Sequence, residues 1–155
     1  MKKQVNVWDY AGHIMEHIGA GILLTTKAEG QVDTMTIGWG TVGVQWGKPI
    51  FIAFVRESRY TKQLLEKNGE FTVNVPMGQV DKNILAVCGT KSGRDTDKIA
   101  ELGLTLECKV IYKQDQEPSA IFPEYDARYY AKGSRNEGDY HTAYYGEITA
   151  AYIVE

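Results

Sequence analysis

Short runs of alternating apolar and polar positions, bounded by glycine, dominate the chain. Helical periodicity surfaces only briefly, so the pattern predicts a β-rich fold with small helices. Phe71, Val73 and Val75 alternate with Thr72 and Asn74 until Pro76 stops the run, as in a half-buried strand with one polar face. A strand is expected over 21–27, followed by a turn at Ala28-Glu29-Gly30. The apolar run 50–55 reads as a buried strand, and 105–113 and 140–154 as two further β regions. A long β region covers 33–46 and carries glycine at 38, 40 and 43. The missing side chains there permit bulging or the close approach of a ligand. Its simplest reading is a bent barrel strand with Trp39 in the core.

Helices are expected over 9–18, over 58–67 with a stop at Asn68-Gly69, and over 81–87 and 95–102. The polar, tyrosine-rich stretch 114–139 contains Pro118, Pro123 and Gly133 and has room for one strand near 127–132. Its tyrosines suit either stacking on a ligand or packing against a partner subunit, and packing is favoured.

Composition narrows the class. A chain of 155 residues, 43% apolar and 24% charged, reads as one globular domain over residues 1–155, large enough for its own core. A net charge of -3 and a pI near 5.7 supply no long-range attraction for nucleic acid or anionic lipid, so any phosphate site is local. The start Met1-Lys2-Lys3-Gln4-Val5-Asn6 lacks the apolar core of a signal peptide, and no run reaches about 18 apolar residues. A cytoplasmic protein without nucleic-acid or membrane partners is expected. Cys88 and Cys108 are too sparse a set for a disulfide framework or a four-ligand zinc site. Both are expected as thiols, with Cys108 pointing into the core beside Leu106, Val110 and Tyr112.

Candidate chemistry gathers in a few segments. Arg56-Glu57-Ser58-Arg59-Tyr60-Thr61 lies where a strand feeds a helix, so amide groups, hydroxyls and guanidinium groups can converge on an anion. Ser58 would equally serve as an N-cap. Ser92-Gly93-Arg94, with Lys98 four residues beyond Arg94, offers a second polar loop without P-loop spacing. Met35 to Thr41 exposes backbone beside small residues and Trp39, which suits a flat heteroaromatic ring as well as a barrel core. His13-Ile14-Met15-Glu16-His17 matches the H-x-x-E-H pattern, leaving a zinc hydrolase using His13, Glu16 and His17 as a remote alternative. His141 carries no signal by itself. Since no nucleophile elbow or Ser-His-Asp arrangement stands out, the residues point to ligand binding before side-chain catalysis.

Taken in order, MTIGWGTVGVQWGKP (35–49), FVRESRYT (54–61), FTVNVP (71–76) and CGTKSGRDTDK (88–98) resemble the flavin reductase-like FMN-binding family, in particular its short flavoredoxin-like members. Gly138-Asp139-Tyr140-His141 and Tyr145-Gly146-Glu147-Ile148 are similar to two closing signals of that family. The resemblance implies a mainly β fold, a six-stranded Greek-key split β-barrel with short flanking helices. It also implies a homodimer with FMN near the subunit interface. Arg56, Ser58, Arg59 and Thr61 would hold the phosphate together with Ser92, Gly93 and Arg94. Gly38, Trp39, Gly40 and Thr41 would line the ring or ribityl chain, Asn74 and Val75 would contribute from their strand, and Tyr60 would lie close by. His141 would stand on the nicotinamide side. The flavin itself would carry the redox chemistry. The implied activity is an FMN-dependent NAD(P)H:flavin oxidoreductase with NADH or NADPH as co-substrate; the alternative is a flavoredoxin-like carrier served by a redox partner protein.

Overall fold

In the computed structural model, which describes residues 1–78 and 103–154, eight strands follow the alternation of the sequence. They are β1 (Lys2–Gln4), β2 (Ile22–Ala28), β3 (Gln31–Ile37), β4 (Gly40–Gln45), β5 (Lys48–Arg56), β6 (Glu70–Val75), β7 (Gly103–Asp115) and β8 (His141–Val154). Three α-helices accompany them: α1 (Ala11–Ile18), α2 (Tyr60–Asn68) and α3 (Pro123–Tyr129). Phe71, Val73 and Val75 are buried while Thr72 and Asn74 stay half-buried, as their alternation requires.

All pairings are antiparallel, in the order β3-β2-β6-β7-β8-β5-β4, with β1 alongside β8. Within it β8 returns beside β5 after β6 and β7, the expected Greek-key arrangement. At one end of the order β3 comes back into contact with β5, so the sheet curls around a core that includes Leu24, Phe51, Val73, Leu106 and Tyr144. Among the described residues eight strands stand where six were expected, because the region 33–46 divides at Gly38-Trp39 and the short β1 is added. Two-residue hairpins close β2–β3 and β4–β5. Their central residues, Glu29-Gly30 and Trp46-Gly47, all have positive φ, the twist that matches antiparallel strands.

Two expectations are corrected. The stretch 127–132 is not a strand: α3 starts on Pro123, with Glu124 and Asp126 in its first turn and Arg128 in its last, a charge order that suits the helix dipole. The helix expected over 58–67 starts two residues later, with Arg59 at the N-cap and no side-chain cap, and ends as expected on Gly69 at φ 70. The helices expected over 81–87 and 95–102, Cys88 and the loop bearing Ser92, Gly93 and Arg94 lie outside the described residues. Cys108 is buried and unpaired, and burial, with Glu107 adding, pushes its thiol up. Among the described residues no helix is long and apolar enough to cross a membrane.

Candidate functional site

The break between β3 and β4 puts backbone on the surface. Gly38 is exposed, and a Cβ built there would approach only the Ile18 carbonyl, at 4.0 Å. Trp39 is 39% exposed rather than a core residue. Its ring meets Tyr129 edge-on at 4.8 Å and lies tilted against His141 at 4.8 Å. Gly40 has a packing reason of its own, because a Cβ would stand 2.9 Å from the Phe51 ring and 3.1 Å from the Ile52 carbonyl. Thr41 is exposed on β4, paired with Ile52.

Arg56 ends β5 directly opposite His141, the first residue of β8. Its Nη1 donates to the Asp139 carbonyl at 2.8 Å, and its guanidinium stands 5.3 Å from the Tyr130 ring centre and 5.8 Å from that of Trp39. The chain then turns through Ser58, whose backbone N–H and hydroxyl both donate to the Asp139 carboxylate, at 2.9 and 2.5 Å. Donors suited to a phosphate thus meet a carboxylate of the same chain. The Arg59 guanidinium has no hydrogen-bond or ion-pair partner among the described residues.

Other candidates face elsewhere. Thr61 is buried, 1% exposed, and its hydroxyl donates to the buried Asp33 carboxylate, so it points into the fold rather than toward a phosphate. The Tyr60 hydroxyl donates to Gln31. Asn74 donates to Thr105 at 2.7 Å, and Val75 is a core residue. Neither lines the clefts described next.

Two adjoining clefts share Arg56 and Arg59. The inner one, about 150 Å³, is walled by Gly38, Trp39, Phe54 and His141 with the end of β3; the outer one, about 560 Å³, runs past Ser58 and Arg135 to Asp139. Arg56, Arg59 and Arg135 line the outer cleft together with Glu57, Glu137 and Asp139, a mixed field with local positive points. A separate groove of about 340 Å³ between Thr25, Glu70, Glu107 and Thr149 gathers none of the candidate residues.

His141 is 5% exposed. Burial first, then the charge of Arg56, pulls its pKa down to about 4, with Asp139 opposing. Its Nδ1 lies 2.6 Å from the Tyr130 hydroxyl, which also donates to Gln116 at 2.9 Å. Sequence reasoning missed Gln116, Tyr129, Tyr130, Arg135 and the reach of Asp139 to Ser58. The tyrosine-rich composition of 114–139 is the available signal.

His13 and His17 stack at 4.1 Å between ring centres. His13 Nε2 contacts the Pro76 carbonyl at 2.7 Å, and His17 Nδ1 the His13 carbonyl at 2.8 Å. Among the described residues no cluster of three or more histidine, cysteine or acidic side chains could hold a metal ion.

The flavin reductase like domain family matches residues 15–155. A flavoredoxin from Methanosarcina acetivorans is 26% identical, with a TM-score of 0.58 over 87% of this chain and 68% of that one. An FMN-binding protein from Thermus thermophilus, 22% identical, gives a TM-score of 0.58 over 87% of this chain and 71% of its own. The styrene monooxygenase flavin reductase of Pseudomonas putida S12, 20% identical, gives 0.60 over 87% and 80%. These last two likenesses speak to the fold. No curated protein matches the chain.

Proposed function

Because the chain belongs to the flavin reductase like domain family, we propose that it binds FMN across the two adjoining clefts and works as an NAD(P)H-dependent flavin reductase. The observation that carries this reading is the meeting of Gly38, Trp39, Arg56, Arg59 and His141 on one cleft. The donor set fits such a ligand. Open backbone at Gly38 beside Trp39 suits the edge of a flat heteroaromatic ring, and the guanidinium groups of Arg56 and Arg59 suit a phosphate dianion. Ser58 would join them once Asp139 yields its two bonds.

Bound FMN would supply the hydride-accepting chemistry. The chain's own residues would bind and orient it: Arg56 and Arg59 at the phosphate, Trp39 and Tyr129 limiting water at the ring, and His141 on the side where a nicotinamide approaches. Ser92, Gly93 and Arg94 are proposed as the second phosphate grip on the family resemblance alone. A homodimer is proposed on the same ground. The exposed Trp46 at 62% and Tyr112 at 39%, whose rings meet edge-on, would suit its burial.

The 26% identity to a flavoredoxin favours a second reading, an FMN electron carrier reduced by a protein partner. The test is the visible absorption spectrum of the purified protein before and after adding FMN and desalting, followed by NADH and NADPH under anaerobic conditions. Retained flavin bands that bleach with a nucleotide support the reductase. Retained bands that stay yellow with both nucleotides favour the carrier. A colourless protein after desalting overturns tight FMN binding.

A further inference from the structure

The hydrogen bonds around His141 decide which of its ring nitrogens carries the proton. Gln116 Oε1 accepts two bonds, from the His141 backbone N–H at 2.9 Å and from the Tyr130 hydroxyl at 2.9 Å. The first fixes the orientation of the amide, because a backbone N–H can only donate and so meets the oxygen. Tyr130 has a single proton and directs it to Gln116. The 2.6 Å contact between Tyr130 Oη and His141 Nδ1 is therefore donated by Nδ1–H. His141 is held neutral by burial and by Arg56, and a neutral imidazole has one N–H, so Nε2 keeps a bare lone pair. That nitrogen has no hydrogen-bond partner among the described residues and is not sealed from solvent. The ring forms part of the wall of the inner cleft.

We propose that Gln116 and Tyr130 are positioning residues that hold His141 in its Nδ1-protonated tautomer, so that Nε2 meets the occupant of the inner cleft as a hydrogen-bond acceptor and selects for a group bearing an N–H. The proton on Nδ1 follows from the hydrogen bonds, and the bare Nε2 from the burial and the Arg56 charge that keep the ring neutral; the selection rests on the proposed flavin reductase reading. Under that reading His141 receives a hydrogen bond and supplies no proton. The carboxamide N–H of a reduced nicotinamide is the matching group, and a carboxylate in its place is disfavoured.

Long-range proton–nitrogen NMR of the ¹⁵N-labelled full chain at neutral pH, with His141→Gln for assignment, tests the tautomer. A pyrrole-type Nδ1 and a pyridine-type Nε2 are expected, and the reverse pattern overturns the proposal. Gln116→Leu frees the Tyr130 proton for Nδ1 and moves the histidine proton to Nε2, whereas Gln116→Glu, which still accepts both bonds, keeps the original pattern. If Gln116→Leu fails to fold, Tyr130→Phe takes its place, and loss of the single-tautomer pattern is expected. A pattern unchanged in the folded variant overturns the positioning role. On the FMN-loaded protein, Gln116→Leu is expected to raise KM for NADH by about tenfold with a smaller change in kcat, while Gln116→Glu stays near the original. An unchanged KM alongside a switched tautomer overturns the selection. Absence of turnover with both NADH and NADPH in the unmodified protein overturns the reductase reading, and the selection with it, while the NMR pattern still decides the tautomer.

Discussion

Arg56 touches two aromatic rings and the Asp139 carbonyl at once, so its side chain is held ready before any ligand arrives. Arg56→Ala should weaken FMN binding about tenfold or more in a fluorescence titration, since a charge-assisted bond to phosphate would be lost. Unchanged affinity would move the phosphate elsewhere. Thr61 makes the contrasting case. Its hydroxyl serves the buried Asp33 carboxylate, so Thr61→Val should cost roughly 1–3 kcal/mol of stability in urea denaturation and leave FMN affinity unchanged. Gly40→Ala should also destabilise, by roughly 1–3 kcal/mol, because the added methyl meets the Phe51 ring and the Ile52 carbonyl. His141 gives stability a sign with pH. Its folded pKa, about 4, lies below the ordinary 6.5, so on acidification the unfolded chain takes up a proton first. Stability present above pH 6.5 is lost as pH falls toward 4, by at most about 3 kcal/mol. His141→Gln should flatten that part of the curve of urea midpoint against pH.

Among the elements, α2 is tied to β7 and β8 through the Glu66 carboxylate. Burial raises the pKa of Glu66, yet hydrogen bonds from Lys113 on β7 and Tyr144 on β8, together with the charge of Lys62, outweigh it and hold the group at about 2. Glu66 therefore contributes stability that is intact above the ordinary 4.5 and lost as pH falls toward 2. Glu66→Gln should remove this lower acid limb while leaving the His141 limb in place. Elements of this kind differed in how readily the sequence revealed them. The end of α2 was legible because Asn68-Gly69 needs a left-handed residue, and β6 because its apolar residues alternate. The start of α2 was not: Ser58 looks like a cap, but its hydroxyl is taken by Asp139 from 81 positions away. Helix α3 was missed because the six residues after Pro123, all polar or aromatic but Ala127, carry no apolar stripe, and none of them is buried.

For the molecule as a whole, the antiparallel, mainly β class was legible from local patterns, while the site was legible only as separate pieces. Gly38-Trp39 and Arg56–Arg59 stood out as segments, but nothing local announced that β5 and β8 would bring Tyr130, Asp139 and His141 against them. Those contacts depend on strand order, which periodicity does not encode. The pairing also has a consequence in time. Arg56 and Asp139 lie 83 positions apart along the chain, whereas the β2–β3 and β4–β5 hairpins close over two residues each. Long-range closure is slow and local closure is fast. In refolding from urea, capture of FMN should therefore lag behind recovery of the far-ultraviolet sheet signal, so that newly made chains pass through a folded-looking interval in which they cannot yet take up the proposed flavin.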